Sequence, residues 1–481
     1  MSYEAGRGVV NVIKELLSYK SAVLGIAILT FLVALSIYTV ITIPYERAIF
    51  LWRGGERYWM DTPRNAMPIW FKALFGKNYP ETIIVDSRKA PNPNVVKAVT
   101  PIPGTNIKKS YIELSFYYDY DDFPSEVNVF FFAKFNESFP IVKIYWEKPD
   151  GEKILLKELE VKAPDDIFFL TIDEGVLKTL RLAVFAKGGN ISGYVPSRVL
   201  LFVVNDGSII SMKTAKLLKS SFFKPPRKYR LIIDAVVFGK DSDLDAKLVV
   251  YGTVYGLAGT DHLRRDIMIA ILWGTPIALA FGLTCSLTVS IVHLIIAVAS
   301  GWYGGKVDFV IQRLTEIYMI IPFLPFLILI NMFYKITIWV LILVILVLSI
   351  FGGGIKSTRA LVMQIKEEPY IEAALAYGAS SRRIIFFYII PKILPPIIPG
   401  LISSVPGFVF LEAGLSFLGL GDPYLPTWGK VINDAYTNGA LYKGLWWWVL
   451  IPSFMLILTA ISFALIGFAL DKIVNPKLRE R

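Results

Sequence analysis

The sequence predicts a mostly α-helical polytopic membrane protein, with six transmembrane helices and a large inserted β-rich domain outside the membrane. Three observations carry that expectation. Hydrophobic residues make up 54% of the chain and its mean hydropathy is positive, more apolar surface than one soluble core holds, so lipid must take part of it. Apolar runs of about 20 residues, the length of one bilayer crossing, occur near the start and through the second half. Between them, residues 45–258 change to short aromatic and β-branched runs divided by turn signals.

The first span is read over residues 21–44, preceded by Lys14 and Lys20. It is too long for a cleavable signal and ends in Ile43-Pro44-Tyr45-Glu46-Arg47 rather than in small residues. Further spans are expected at about 273–300, 317–333, 336–351, 397–417 and 446–470. Cys285, the single cysteine, excludes an intrachain disulfide, so the insert must rest on its own core. Strands are expected there at 111–118, 127–132, 141–146, 154–161, 199–204, 229–237 and 247–255. Turns such as Pro149-Asp150-Gly151 and Asn205-Asp206-Gly207 separate them, which reads as a mostly antiparallel sandwich. Trp59, Trp70, Phe71 and Phe75 suit either an aromatic collar on the outer membrane surface or plain core packing.

Charge sets the orientation. Lys356, Arg359, Lys366, Arg382, Arg383 and Lys392 crowd the segment between the fourth and fifth spans, and Lys472, Lys477, Arg479 and Arg481 follow the sixth. Basic residues mark the cytoplasmic side. Both segments, the N-terminus and an expected turn at 306–313 therefore belong in the cytoplasm, and residues 45–266 and the loop after Phe417 outside it. The net charge of +11 reads as this asymmetry, with no nucleic-acid partner expected.

One polar stretch, residues 372–391, interrupts the apolar second half. Pro369 suits a first helical turn, Glu367 and Glu368 favour its positive end, and Ala373, Ala374 and Ala376 are strong helix formers. Gly378 offers the left-handed conformation that stops a helix. Ser380 or Ser381 can cap a second helix through Arg382 and Arg383, which Pro391 is expected to end. Two short helices make a knob able to enter a groove in another protein.

This hairpin closely resembles the EAA loop of ABC transporter permeases. Glu372, Ala373, Ala374, Gly378 and Pro391 stand where that family has its glutamate, two alanines, glycine and proline. The stretch Leu411 to Gly421, LEAGLSFLGLG, followed by Pro426, Thr427, Trp428 and Gly429, is similar to the signature of the dipeptide and oligopeptide branch. Gly259, Thr260 and Asp261, with Arg265 and Asp266, resemble the branch's motif before the second span. The likeness runs over residues 259–476; nothing comparable covers 45–258. Arg264 replaces a usual glycine, and Phe468 stands where an acidic residue is common.

The resemblance implies a type I importer permease fold in three parts. Residues 1–44 would be a cytoplasmic N-terminus and first span, 45–258 the extracytoplasmic β-rich domain, and 259–481 the permease domain with a cytoplasmic EAA loop at 356–391. Glu372, Ala373, Ala374, Gly378 and Pro391 would couple to the ATPase. Glu412, Ser416, Gly419, Gly421 and Trp428 would line a translocation path or gate. The implied partners are a second homologous permease, two ATP-binding subunits, an extracellular substrate-binding protein and membrane lipid. ATP and Mg would be bound by partner subunits, with no cofactor in this chain. Cargo would be di- or oligopeptides, with oligosaccharides or nickel chelates as other possibilities within the family.

Other chemistry fails on the residues. The run from Gly352 to Thr358 mimics a phosphate-binding loop, but Ile355 takes the place of the glycine before the lysine and an apolar span precedes it. Asp241, Asp243 and Asp245 alternate as in a calcium loop, yet Ala246 and Gly252 replace the turn glycine and the bidentate glutamate. His262 and His293 cannot make a zinc site alone. The sequons at Asn136 and Asn190 are short enough to occur by chance. Glu412 and His293 fall within spans and should face the bundle interior, while Pro406, Gly400 and Gly407 permit a kink in the fifth span. The competing class is an ion-coupled secondary transporter or channel without an ATPase partner. Such proteins carry buried ionisable pairs, sparse here, and the polar hairpin would have no role.

Overall fold

The computed structural model describes residues 14–89, 92–136, 138–204, 207–215, 227–334 and 337–474. Asn205 and Asp206 of an expected turn, Glu137 of one sequon, Ile336 and the basic residues Lys477, Arg479 and Arg481 lie outside them. The chain forms two compact units, Gly54–Asp266 and the combination of Met1–Arg53 with Ile267–Arg481. The first helix, α1 (Lys20–Thr42), is apolar on all sides and stops at the dipeptide Ile43-Pro44.

The 54–266 unit contains two antiparallel sheets. One orders β1 (Ile83–Asp86), β11 (Asp243–Tyr251), β4 (Glu126–Lys134) and β7 (Asp165–Phe168). The other orders β2 (Val95–Pro101), β3 (Ile107–Tyr117), β10 (Lys228–Phe238), β5 (Ile141–Glu147) and β6 (Lys153–Glu160). Two short strands, β8 (Asn190–Ile191) and β9 (Ile209–Ile210), pair in parallel. Period-two burial drives the sandwich: Tyr229, Leu231, Ile233, Ala235 and Val237 of β10 share one core with Leu244, Ala246, Leu248 and Val250 of β11. The run 199–204, expected as a strand, is instead a short helix, Ser197–Leu200, and the turn after it. Val199, Leu200, Leu201, Phe202 and Val203 are all buried, a continuous apolar run with no exposed face to alternate. Trp146 Nε1 donates to the Leu201 carbonyl at 2.8 Å, so this plug is hydrogen-bonded as well as packed.

A helix without a sequence expectation, α2 (Glu174–Ala186), buries Val176, Leu180 and Val184 one turn apart. Asp173 caps it, accepting from Val176 N–H at 2.9 Å and pairing with Lys157. Burial pushes the Asp173 carboxyl up, but those hydrogen bonds outweigh it and hold the carboxyl below its ordinary value. The aromatic set divides: Trp59 and Phe71 are buried, while Trp70 and Phe75 are exposed. Lys97 Nζ bridges Asp243 and Asp245 at 2.9 Å each, so a lysine neutralises the carboxylates of the calcium-like run.

Arg264 accounts for the family's usual glycine. Its φ is +65°, in the left-handed region where a side chain is strained. The fully buried guanidinium offsets that strain by donating to the Thr62 carbonyl at 2.8 Å, pairing with Glu126 at 2.5 Å and lying 4.3 Å from the Tyr251 ring centroid. Arg264→Ala keeps the strain and leaves Glu126 without its buried partner, so it should cost about 3–5 kcal/mol. Arg264→Gly, which removes the strain, should cost less. Thermal unfolding of the purified chain checks the order.

The second unit continues with α3 (Ile267–Tyr303), α4 (Gly305–Ile320), α5 (Phe323–Phe333), α6 (Ile338–Ser349), α7 (Gly353–Lys366), α8 (Pro369–Ala376), α9 (Ser381–Phe417), α10 (Trp428–Thr437) and α11 (Trp447–Val474). Helices α1, α3, α9 and α11 are long and apolar enough to cross a membrane; counting each bent pair, α4–α5 (76°) and α6–α7 (51°), as one span gives six. The expected turn at 306–313 lies inside α4. The chain turns earlier, where Gly304 and Gly305 both have positive φ. The third apolar run starts within α4 and breaks at Ile321-Pro322, because proline disfavours helix in the residue before it.

Candidate functional site

The hairpin α8–α9 is built as its sequence suggests at one end and differently at the other. Pro369 is the first residue of α8, Glu372 lies exposed in its first turn, and Gly378 ends it at φ +75°. Gly378 N–H donates to the Leu375 carbonyl at 2.9 Å and Ala379 N–H to that of Ala374 at 3.0 Å. Ser380, not Ser381, caps the next helix. Pro391 does not end that helix. A π-helical turn, Ile385–Ile389, immediately precedes the following α-helical stretch, whose second residue is Pro391. The wider turn relieves the clash that a proline ring makes with the carbonyl four residues back.

The base of the knob is fixed and its tip is bare. Ile371, Ile384, Ile389 and Ile393, all fully buried, pack with Val298, Trp302, Val362 and Ile365, and Ala374 packs against them. Tyr377, at the C-cap, is 93% exposed, with Glu372, Ala373 and Gly378 exposed beside it. Sequence reasoning missed Tyr377, although its place before a helix-stopping glycine marks the tip. Behind the knob, Arg359 of α7 clasps Asp308 of α4 through two bonds of 2.5 Å, and Ser300 donates to the same carboxylate at 2.5 Å. Lys366 Nζ donates to the Trp302 carbonyl at 2.8 Å, and Gly301 lets Val362 approach α3 closely.

The second predicted set, Glu412, Ser416, Gly421 and Trp428, converges where α9 meets α10. Glu412 is 3% exposed and accepts from Ser416 Oγ at 2.7 Å; Thr427, the N-cap of α10, donates to Ser416 Oγ at 3.4 Å. Trp428 Nε1 donates to the Ile271 carbonyl of α3 at 3.0 Å. Its indole lies on Gly274, where a Cβ would stand 2.9 Å from the ring Cγ. A Cβ on Gly421 or Gly429 would meet Ser416 or Ala413 inside van der Waals contact. Gly419 joins the cluster through its N–H, which donates to the Ser416 carbonyl at 3.1 Å, and its φ of +78° turns the chain after α9. Asp422, which the sequence reading did not single out, accepts from Ile338 N–H at 3.0 Å and ties this loop to the start of α6. The arrangement is a latch of small residues around two buried acids, Glu412 and Asp422.

His293 packs on the break between α6 and α7. Its Nε2 donates to the Ser349 carbonyl at 2.7 Å, an acceptor freed where α6 ends. The ring fills space that a Cβ on Gly352 or Gly354 would occupy, so the glycine run serves helix packing.

A bundle of apolar helices with an exposed helical knob at one site and a glycine-built latch at another defines a membrane permease subunit. The family described as binding-protein-dependent transport system inner membrane component matches residues 293–480. The dipeptide transport system permease protein DppC of Bacillus subtilis (strain 168) is 31% identical over 222 residues, 46% of this chain and 68% of that protein. The oligopeptide transport system permease protein OppC of Haemophilus influenzae (strain ATCC 51907 / DSM 11121 / KW20 / Rd) is 32% identical over 227 residues, 47% of this chain and 71% of that one. A solved inward-facing MetNI methionine ABC transporter chain, 20% identical, aligns over 43% of this chain and 96% of its own at a TM-score of 0.33. The chain belongs to the binding-protein-dependent transport system inner membrane component family, as an ABC transporter permease of the dipeptide and oligopeptide branch. Such permeases are non-catalytic transmembrane subunits, and ATP hydrolysis lies in partner subunits.

Proposed function

We propose that this chain forms part of the path of an ATP-driven importer of di- or oligopeptides, and that the α8–α9 hairpin is its lever. The bare tip at Tyr377 on an isoleucine-locked base carries the reading. A tip whose tyrosine side chain is left exposed suits insertion into a partner's groove, and the rigid base passes the partner's movement to α9. The partners are two ATP-binding subunits, which hold ATP and Mg, a second homologous permease and an external substrate-binding protein. Peptide cargo rests on the names of the relatives.

In this reading each bent pair contributes one crossing, with α7 running on into the cytoplasm, giving six. Both termini and the segment 356–391 lie in the cytoplasm, supported by its basic residues. Residues 45–258 form an extracytoplasmic β-rich domain, followed by the permease domain at 259–481. Glu372, Ala373, Ala374, Gly378 and Pro391 serve coupling, and Glu412, Ser416, Gly419, Gly421 and Trp428 the gate. Reversing the exposed charge in Glu372→Arg should abolish co-purification of the ATP-binding subunits and the ATPase activity that travels with them. Unchanged partner binding would overturn the lever.

A further inference from the structure

We propose that a cavity between α3, α7 and α9 is a station that takes the uncharged amide backbone of the cargo. The proposal rests on the peptide-importer reading and names where, along the path, the chain itself touches what it moves. The cavity measures about 410 Å³, within the range of about 300–1,000 Å³ usual for small-molecule sites. Its polar wall comes from Ser290 and His293 of α3, Ser357 and Thr358 of α7, and Ser404 of α9. Gly400 leaves one side open.

Gly354, Ser357, Pro396 and Gly400 form the exposed rim of the cavity, Ser290, His293 and Thr358 lie deeper, and polar groups there need a partner. Three already have one: His293 donates to Ser349, Ser357 to the Gly354 carbonyl at 3.1 Å, and Ser404 to the Leu401 carbonyl at 2.8 Å. Ser290 and Thr358 do not. Neither hydroxyl has a hydrogen-bond partner among the described residues, although Thr358 is 8% exposed. Hydroxyls left open on a cavity wall suit a ligand that both donates and accepts. No aspartate, glutamate, lysine or arginine lines the space, so charged termini and side chains gain nothing there. An amide, with one donor and one acceptor per residue, matches the wall whatever the side chain. That suits a path which leaves recognition to an external protein.

Gly400 supplies the test, because a Cβ there meets no atom within 4 Å and its backbone is unstrained. Gly400→Leu therefore adds bulk at the cavity mouth without a Cβ clash on α9. The complete transporter, in liposomes, is assayed for ATP-driven uptake of labelled alanine di- to pentapeptides and, in parallel, of labelled maltotriose. Expected are a loss of at least about tenfold in peptide uptake for Gly400→Leu and about three- to tenfold for Thr358→Val, the worth of one hydrogen bond, with the subunits still co-purifying. Gly407→Leu, on the same helix but outside the cavity and equally free of clashes, should keep its uptake. Wild-type uptake by Gly400→Leu overturns the station, as does loss of subunit assembly, which would make this face a contact between subunits. Wild-type complex that hydrolyses ATP and moves maltotriose but no peptide would overturn the cargo reading instead.

Discussion

Ile371→Asp is expected to stop transport while leaving the membrane helices inserted. Ile371 is the residue of α8 that reaches the isoleucine cluster, and it is fully buried there against α3, α7 and the start of α9. Truncating such a side chain costs about 2–5 kcal/mol, and a carboxylate in its place adds the desolvation of an unpaired charge. The short helix α8 has only eight residues and cannot hold itself in water. It should detach as a unit, because Glu372, Ala373 and Tyr377 make little contact of their own. ATP-binding subunits would then meet a mobile peptide where a rigid knob had stood. Uptake in vesicles should fall to background, with any residual ATPase activity no longer responding to cargo. Tyr377→Ala separates tip from base: it should leave thermal unfolding unchanged, since the ring touches little, and still weaken co-purification of the ATPase. Wild-type coupling in both variants would remove the lever from the mechanism.

The parts of the hairpin that could be read in advance are those set by local rules. Pro369 at a helix start, Gly378 at a helix stop and Ser380 as a cap each act within a few residues, and the chain obeys all three. Pro391 was legible as a breaker but not as a residue that a π turn could absorb, because that depends on the isoleucines before it finding a packed wall. The clasp of Arg359 on Asp308 joins residues far apart in sequence, and nothing in either neighbourhood names the other. Continuous apolar runs were the weakest signal. The run at 199–204 has the composition of a strand and the burial of a plug, and only tertiary packing decides between them. Helix α2 was legible, with a capping aspartate and apolar residues every fourth position, but lay among strand signals that outweighed it. At the latch, the glycines were visible and their reasons were not: Gly274 is small because an indole more than 150 residues away lies on it.

Gly429→Val should be the most damaging single substitution at the latch, and Gly414→Ala, fifteen residues earlier, among the mildest. The contrast follows from what each glycine faces. A Cβ on Gly429 would overlap the Ala413 carbonyl oxygen and stand 2.7 Å from its Cα and 2.8 Å from the Ser416 Cβ. Two of those atoms are backbone of α9 and cannot rotate away, so α10 has to lift. Lifting it would draw Trp428 off Gly274 and break its bond to Ile271, and would part Thr427 from Ser416. Glu412 would then lose its surroundings while remaining in an apolar helix. Overpacking alone costs about 1–3 kcal/mol, and a clash with backbone that also frees a buried acid should exceed about 3 kcal/mol. Gly414 meets nothing within 4 Å in the last turn of α9, so alanine there should be neutral or stabilise by up to about 1 kcal/mol through helix propensity. Thermal unfolding in detergent should move strongly for Gly429→Val and hardly for Gly414→Ala. Equal behaviour of the two would mean that α10 does not hold its place by close approach to α9, and the latch would have to be abandoned as the reason for the glycines in this motif.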